Sequence, residues 1–143
     1  MKLPPGCILT VEDQPAEADV EVLPHALEAF NKQHWPGHQP WQPLAVFVRE
    51  HGRIVAGLAG ETYAGWLFVR YFWIAEKLRN QGIGRALLRE AEQRAAARGC
   101  HSAFLDTFSF QAPEFYRKQG YEEFGRLDYP PKGERIFLRK RLA

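Results

Sequence analysis

Arg79-Asn80-Gln81-Gly82-Ile83-Gly84 separates an apolar run, Trp66 to Ile74, from a strongly periodic segment, Gly82 to Arg98. A strand that empties into a glycine loop opening a helix leaves several backbone N–H groups unpaired at one point, where the helix dipole also favours negative charge. The joint therefore suits a phosphate or pyrophosphate. Gly82 and Gly84 let the backbone approach an anion with no Cβ in the way, while Arg79 and Arg85 can add charge-assisted hydrogen bonds. Asn80, Gln81 and Ile83 complete the loop.

Three nucleotide-binding patterns compete for this joint. A P-loop requires Lys and then Ser or Thr after its last glycine, and Arg85 follows Gly84, so that pattern fails. The dinucleotide fingerprint Gly-x-Gly-x-x-Gly begins at Gly82 and Gly84 but ends on Leu87, and about half the chain precedes a strand that usually opens such a domain. The coenzyme A loop Arg/Gln-x-x-Gly-x-Gly/Ala is matched at every specified position by Arg79, Gly82 and Gly84. A second block follows at a suitable distance: Phe115, Tyr116, Gly120 and Tyr121 spell Phe-Tyr-x-x-x-Gly-Tyr. With both blocks in 143 residues, the sequence resembles the GNAT superfamily of acyl-CoA-dependent N-acetyltransferases across nearly its whole length.

That resemblance implies an α/β (α+β) fold with a central mixed, mostly antiparallel sheet of about seven strands. Helices would lie on both faces, and the central strand pair would be splayed. Residues 1–143 would form one domain. Length and composition agree, since 45% hydrophobic and 25% charged residues in 143 describe an ordinary domain with a real core. No apolar run approaches ~20 residues and the first six residues do not resemble a signal peptide, which leads to the expectation of a cytoplasmic enzyme with no membrane partner. A net charge of +2 is too mild to argue for nucleic acid. Cys7 and Cys100 lack ligand-spaced neighbours, and Pro36 and Gly37 break any helix aligning His34 with His38, so no metal is expected. Charge is unevenly spread: residues 1–30 carry one base and six acids, residues 70–99 seven bases and three acids. The basic segment surrounds the anion-binding joint.

In chain order, Ile8 to Glu12 reads as a short first strand. Helical spacing from Ala18 to Gln33 predicts a helix with Asp19 as a cap, restarting near Pro24. Trp35 to Pro43 is an aromatic loop. Leu44 to Arg49 and Ile54 to Tyr63 read as a hairpin turning at Gly52. Trp66 to Ile74 carries apolar residues on both alternating faces: Trp66, Phe68, Phe72 and Ile74 on one, Leu67, Val69, Tyr71 and Trp73 on the other. Such a strand should be central and covered on both sides. In the next helix Ile83, Leu87, Ala91 and Ala95 form the inner stripe, flanked by Ala86 and Leu88, with Glu92 facing elsewhere, and Gly99 ends it. Ser102 to Thr107 is a strand, Pro113 to Gln119 a short helix, and Tyr121 to Leu127 pairs with Glu134 to Leu142. Sheet edges or the C-terminal strand could join two copies into a homodimer, although Arg139, Lys140 and Arg141 equally suit a protected edge.

The resemblance also assigns roles. Backbone N–H groups of Trp73, Ile74 and Ala75 would pair with the acyl-pantetheine arm of acetyl-CoA, Ile74 polarising the thioester carbonyl. Tyr116 matches the tyrosine that protonates the departing sulfur, beside Phe115. Where many members carry Asn, this chain has Ser109 followed by Phe110 and Gln111, so that contact would pass to Ser109 or Gln111. Glu61, near the end of the preceding strand, is a candidate base, with Tyr63, Tyr71 and His34 as other groups that could line or deprotonate the acceptor site. Glu21 and Glu28 near Trp35 and Trp41 suggest a small cationic amine as acceptor. Direct transfer in a ternary complex is expected, since neither block holds a Cys or Ser with an activating base. The competing reading is a non-catalytic acyl-CoA-binding regulatory module.

Overall fold

The computed structural model describes residues 1–142. It forms two compact units, Met1–Gly37 and the remainder from His38 onward. The first holds α1 (Glu17–His34). Ile8 to Glu12 is not a strand: Ile8, Leu9 and Val11 are exposed, and Thr10 turns its hydroxyl onto Glu12 (2.9 Å). With no neighbouring strand to complete a ladder, its β-forming residues gain nothing from extension. α1 runs unbroken through Pro24, which has no N–H and so leaves one carbonyl of the preceding turn without its helical donor. Ala16 holds the N-cap position without a side-chain bond, so Asp19 lies inside the first turn and acts on the helix dipole rather than as a cap.

The second unit is a six-stranded sheet in the order β1-β2-β3-β4-β6-β5 with two helices. Its strands are β1 (Gln42–Glu50), β2 (Arg53–Tyr63), β3 (Trp66–Ile74), β4 (Ser102–Phe108), β5 (Glu122–Tyr129) and β6 (Gly133–Arg141). Gln42 and Pro43, expected in the aromatic loop, open β1. A single-turn 3-10 segment (Glu76–Leu78) and the glycine loop lead into α2 (Ile83–Ala97), and α3 (Pro113–Lys118) follows β4. Positive φ at His51 and Gly52, and at Ala64 and Gly65, closes the first two hairpins with two-residue turns. All neighbours are antiparallel except β3 and β4. The C-terminal strand β6 lies between β4 and β5, so it offers no edge for pairing; β1 and β5 are the edges.

One irregularity reorganises β3. Ala59 pairs with Tyr71 and Gly60 with Val69, leaving Arg70 as an extra residue in a bulge. An inserted residue reverses which face the following side chains take. Leu67 and Val69 therefore share a face with Phe72 and Ile74, registered to Thr62, Gly60, Leu58 and Ala56 of β2. Trp66, Phe68, Tyr71 and Trp73 take the other. The strict alternation expected from the sequence does not hold. α2 and α3 both cover the first face, so within this unit the cover is one-sided, and Tyr71 and Trp73 stay largely exposed.

α2 buries Gly84, Leu87, Leu88, Ala91, Glu92 and Ala95, while Ala86 is exposed. Gly99, at φ +93, ends the helix as anticipated, with the Cys100 amide reaching the Ala95 carbonyl. Glu92 faces inward, contrary to expectation. Its carboxylate accepts from the Tyr121 hydroxyl (2.7 Å) and from Lys140 Nζ (2.9 Å), which satisfies a charge that burial alone would penalise. Glu92→Ala should therefore cost about 1–2 kcal/mol in urea unfolding, because both donors lose their acceptor. Glu92→Gln should cost less.

Candidate active site

The site begins where β3 and β4 part. They pair in parallel only from Trp66↔Ser102 to Val69↔Leu105; past the Arg70 bulge β3 diverges while β4 continues along β6. The fork widens into a cleft of about 1010 Å³, lined by β3 from Val69 to Ile74, by β4 from Leu105 to Phe108, and by the starts of α2 and α3. Gln111, Phe115 and Tyr116 close its inner side.

Backbone geometry decides which amides serve this cleft. The Ala75 N–H donates to the Val55 carbonyl (2.9 Å), so it is committed to β2. N–H directions alternate along a strand, so Trp73, two residues earlier, also points to β2, whereas Ile74 and Phe72 point into the fork. Of the three amides expected there, Ile74 alone faces the opening; Phe72, which sequence reasoning missed, joins it because of the bulge.

At the other end, α2 starts at Ile83 after Gly82 in a left-handed conformation (φ +81), with no side-chain cap. Ala86 is the first residue whose amide finds an intrahelical acceptor, the Gly82 carbonyl (3.1 Å), leaving those of Ile83, Gly84 and Arg85 without one. Arg79 pins the loop by donating from Nε to the Ile74 carbonyl (3.0 Å), and Arg85 makes no ion pair with another described residue. Uncapped amides, two guanidiniums and a roomy cleft suit a diphosphate-bearing ligand. The glycines divide the work differently from expectation. A Cβ at Gly82 would meet open space, so its need is the positive φ; a Cβ at Gly84 would sit 3.1 Å from Ile74 Cδ1 and 3.2 Å from Phe115 Cζ. Gly84 thus lets α2 seat against β3 and α3.

Comparison with known proteins agrees. Residues 9–121 match the acetyltransferase (GNAT) family. The chain belongs to that family. An acetyltransferase of Agrobacterium fabrum is 33% identical over 130 residues, covering 89% of this chain and 94% of that protein. Blasticidin-S acetyltransferase of Streptomyces morookaense is 36% identical over 96 residues, 63% of this chain and 71% of that protein. The crystal structure of an acetyltransferase from Bacillus cereus superposes with a TM-score of 0.79 at 33% identity, covering 93% and 98% of the two chains. The chain is thus a GNAT N-acetyltransferase that uses acetyl-CoA.

In this acetyltransferase Tyr116 is buried on α3, ringed by Phe72, Phe115 and Tyr121. Its hydroxyl makes no hydrogen bond to another described residue, yet it lines the cleft. Burial, reinforced by the negative charge of Asp106, pushes its pKa up to about 12. Glu61 is placed otherwise than expected. It lies on the outer face of β2 opposite Phe68, its carboxylate is held by Arg70 (2.9 Å), and it is not part of the cleft wall. Ser109 is spent on structure, its Oγ accepting from the Glu134 amide (3.0 Å). Gln111 does reach the cleft, though Phe108 N (2.7 Å) and Thr107 Oγ1 (3.1 Å) already use its Oε1, which leaves Nε2 to donate. Gln81 turns back to the Lys77 carbonyl and does not line the cleft. Asp106, at the fork, was invisible in the sequence because only the register of β4 brings it there. Among the described residues no helix is long and apolar enough to cross a membrane.

Proposed function

We propose that this acetyltransferase moves the acetyl group of acetyl-CoA to a primary amine of a small acceptor, by direct attack while both substrates are bound. The observation that carries this is the sequence of groups along one cleft: uncapped amides of α2 with Arg79 and Arg85 at one end, the Ile74 N–H at the fork, and the Tyr116 phenol beside it. The first set holds the diphosphate; the Ile74 amide, aimed where negative charge develops, polarises the carbonyl. Tyr116, protonated throughout the physiological range, donates to the departing sulfur. No side chain of the cleft is a thiol, and Thr107 is bonded to Gln111, which supports transfer without a covalent enzyme intermediate. A relative named for blasticidin S supports a small acceptor. The acceptor amine is taken to be cationic in solution, as alkyl amines are at neutral pH. The family match from residue 9 to residue 121 crosses both compact units, which supports residues 1–143 as one catalytic domain.

The test is release of free thiol from acetyl-CoA across polyamines, aminoglycosides and lysine-like amines, beside calorimetry. Coenzyme A should bind and NAD should not. Arg85→Glu should weaken coenzyme A about tenfold without lowering Tm, since Arg85 is exposed and the lost partner is a phosphate. Gly84 is the poorer probe, because a larger residue there also collides with Ile74 and Phe115. Tight coenzyme A binding with no amine-dependent thiol release would leave a regulatory acyl-CoA-binding module instead.

A further inference from the structure

Asp106 is the first residue of β4 beyond its last pairing with β3, Val69↔Leu105. Its partner on β6 is Phe137, so it lies on the face opposite buried Leu105 and Thr107, away from α2 and α3. It nonetheless lines the cleft, which therefore opens through the sheet at this point. Tyr116 stands on one side of that opening and Asp106 on the other.

The carboxylate is fixed but only half used. Arg135 Nε binds Oδ1 at 2.9 Å, and Arg135 is itself steadied by the Tyr129 hydroxyl (3.3 Å) and the Phe137 ring (5.2 Å). Oδ2 has no hydrogen bond to a described residue. Beside it Phe108 and Phe110 stack (5.4 Å between centroids) as an apolar wall of the same cleft. Two other carboxylates on this face, Glu61 and Glu122, are paired with Arg70 and Arg139, and both stand off the cleft wall. A preset carboxylate beside aromatic faces is a site for an ammonium ion.

We propose that Asp106 Oδ2 holds the ammonium group of the acceptor at the open end of the β3–β4 fork, and so selects amines that reach it as cations. The assignment rests on the N-acetyltransferase reading above. Its place fits the chemistry. The bound amine first gives one proton to water; its nitrogen then bonds to the acetyl carbon, on the far side of the fork from Tyr116. As the C–S bond breaks, the sulfur takes the phenol proton, and the second proton of the nitrogen returns to the phenol through water.

The test compares wild type with Asp106→Asn and Asp106→Glu, using spermidine, kanamycin and lysine amide as acceptors. Asn keeps an acceptor for Arg135, so the fold should survive. For the best acceptor, Asp106→Asn should raise KM about 30-fold, the worth of one hydrogen bond to a charged group, with kcat changed by less than about threefold. Asp106→Glu should recover part of the loss, and calorimetric affinity for coenzyme A should be unaltered in both variants. An unchanged KM, or a joint loss of coenzyme A affinity and kcat, overturns the assignment. If wild type acetylates no amine while still binding coenzyme A, the N-acetyltransferase reading fails and takes this assignment with it; amine turnover indifferent to Asp106 removes the assignment alone.

Discussion

Tyr116→Phe is expected to lower kcat about 100-fold, the usual worth of a positioned acid, while leaving coenzyme A affinity within about twofold. The variant should fold normally. The ring keeps its contacts with Phe72, Phe115 and Tyr121, and the hydroxyl it loses has no partner among the described residues. The pH dependence adds a second readout. Burial and the charge of Asp106 hold the phenol near pKa 12, so kcat/KM should show no falling limb from Tyr116 below about pH 10. The same burial makes the tyrosinate costly, so a proton given to sulfur has to be replaced at once, and the cationic nitrogen of the adduct is the available source. A variant that keeps wild-type kcat would remove the acid role. An alkaline limb well below pH 10 that vanishes in Tyr116→Phe would contradict the raised value. Folding shares the linkage: the unfolded phenol ionises near 10 and the folded one near 12. Tyr116 thus contributes stability that is fully present below about pH 10 and is lost as the pH rises to 12.

What the sequence showed and hid follows from the range of the forces involved. Strand ends, the α2 start and the short α3 helix were legible because local chemistry sets them: glycines at positive φ, Pro113 in a first helical turn, runs of β-branched and aromatic residues. The two motif blocks gave Gly82, Gly84 and Tyr116 for the same reason. Features requiring knowledge of a neighbour were misread. Glu92 looked like a solvated helix residue, because its partners Tyr121 and Lys140 are far along the chain. Ile8 to Glu12 looked like a strand but lacks one beside it. Nothing within the strand Ser102 to Thr107 singles out Asp106, which only the end of the β3–β4 ladder puts at the fork. The bulge at Arg70 could not be read at all, since it is a mismatch between two strands, and it reassigned every side chain from Tyr71 to Ile74.

Gly60→Ala should be the most damaging small substitution in the sheet. Gly60 pairs with Val69 directly beside the bulge, and a Cβ there would fall 1.9 Å from the Phe68 carbonyl oxygen, 2.9 Å from its carbon and 3.1 Å from Val69 Cα. All three are backbone atoms, so no rotamer change relieves the clash. β3 must move. If the extra residue is squeezed out, Phe72 and Ile74 turn away from α2 and α3, Tyr71 and Trp73 turn inward, and the Ile74 N–H swings from the fork toward β2. One added methyl thus acts on packing and chemistry together. We expect a loss of about 3 kcal/mol, near the upper end for overpacking, seen as a Tm drop of about 10 °C. At temperatures where the variant is still folded, kcat should fall about 10²–10³-fold, the cost of losing one oxyanion donor. Gly125→Ala is the control, since a Cβ there meets no atom within 4 Å and the residue also flanks a register shift, in β5. Should the two alanine variants prove equally stable and equally active, the bulge does not depend on a bare α-carbon at position 60, and the fork must be held open by the divergence of β4 toward β6 instead.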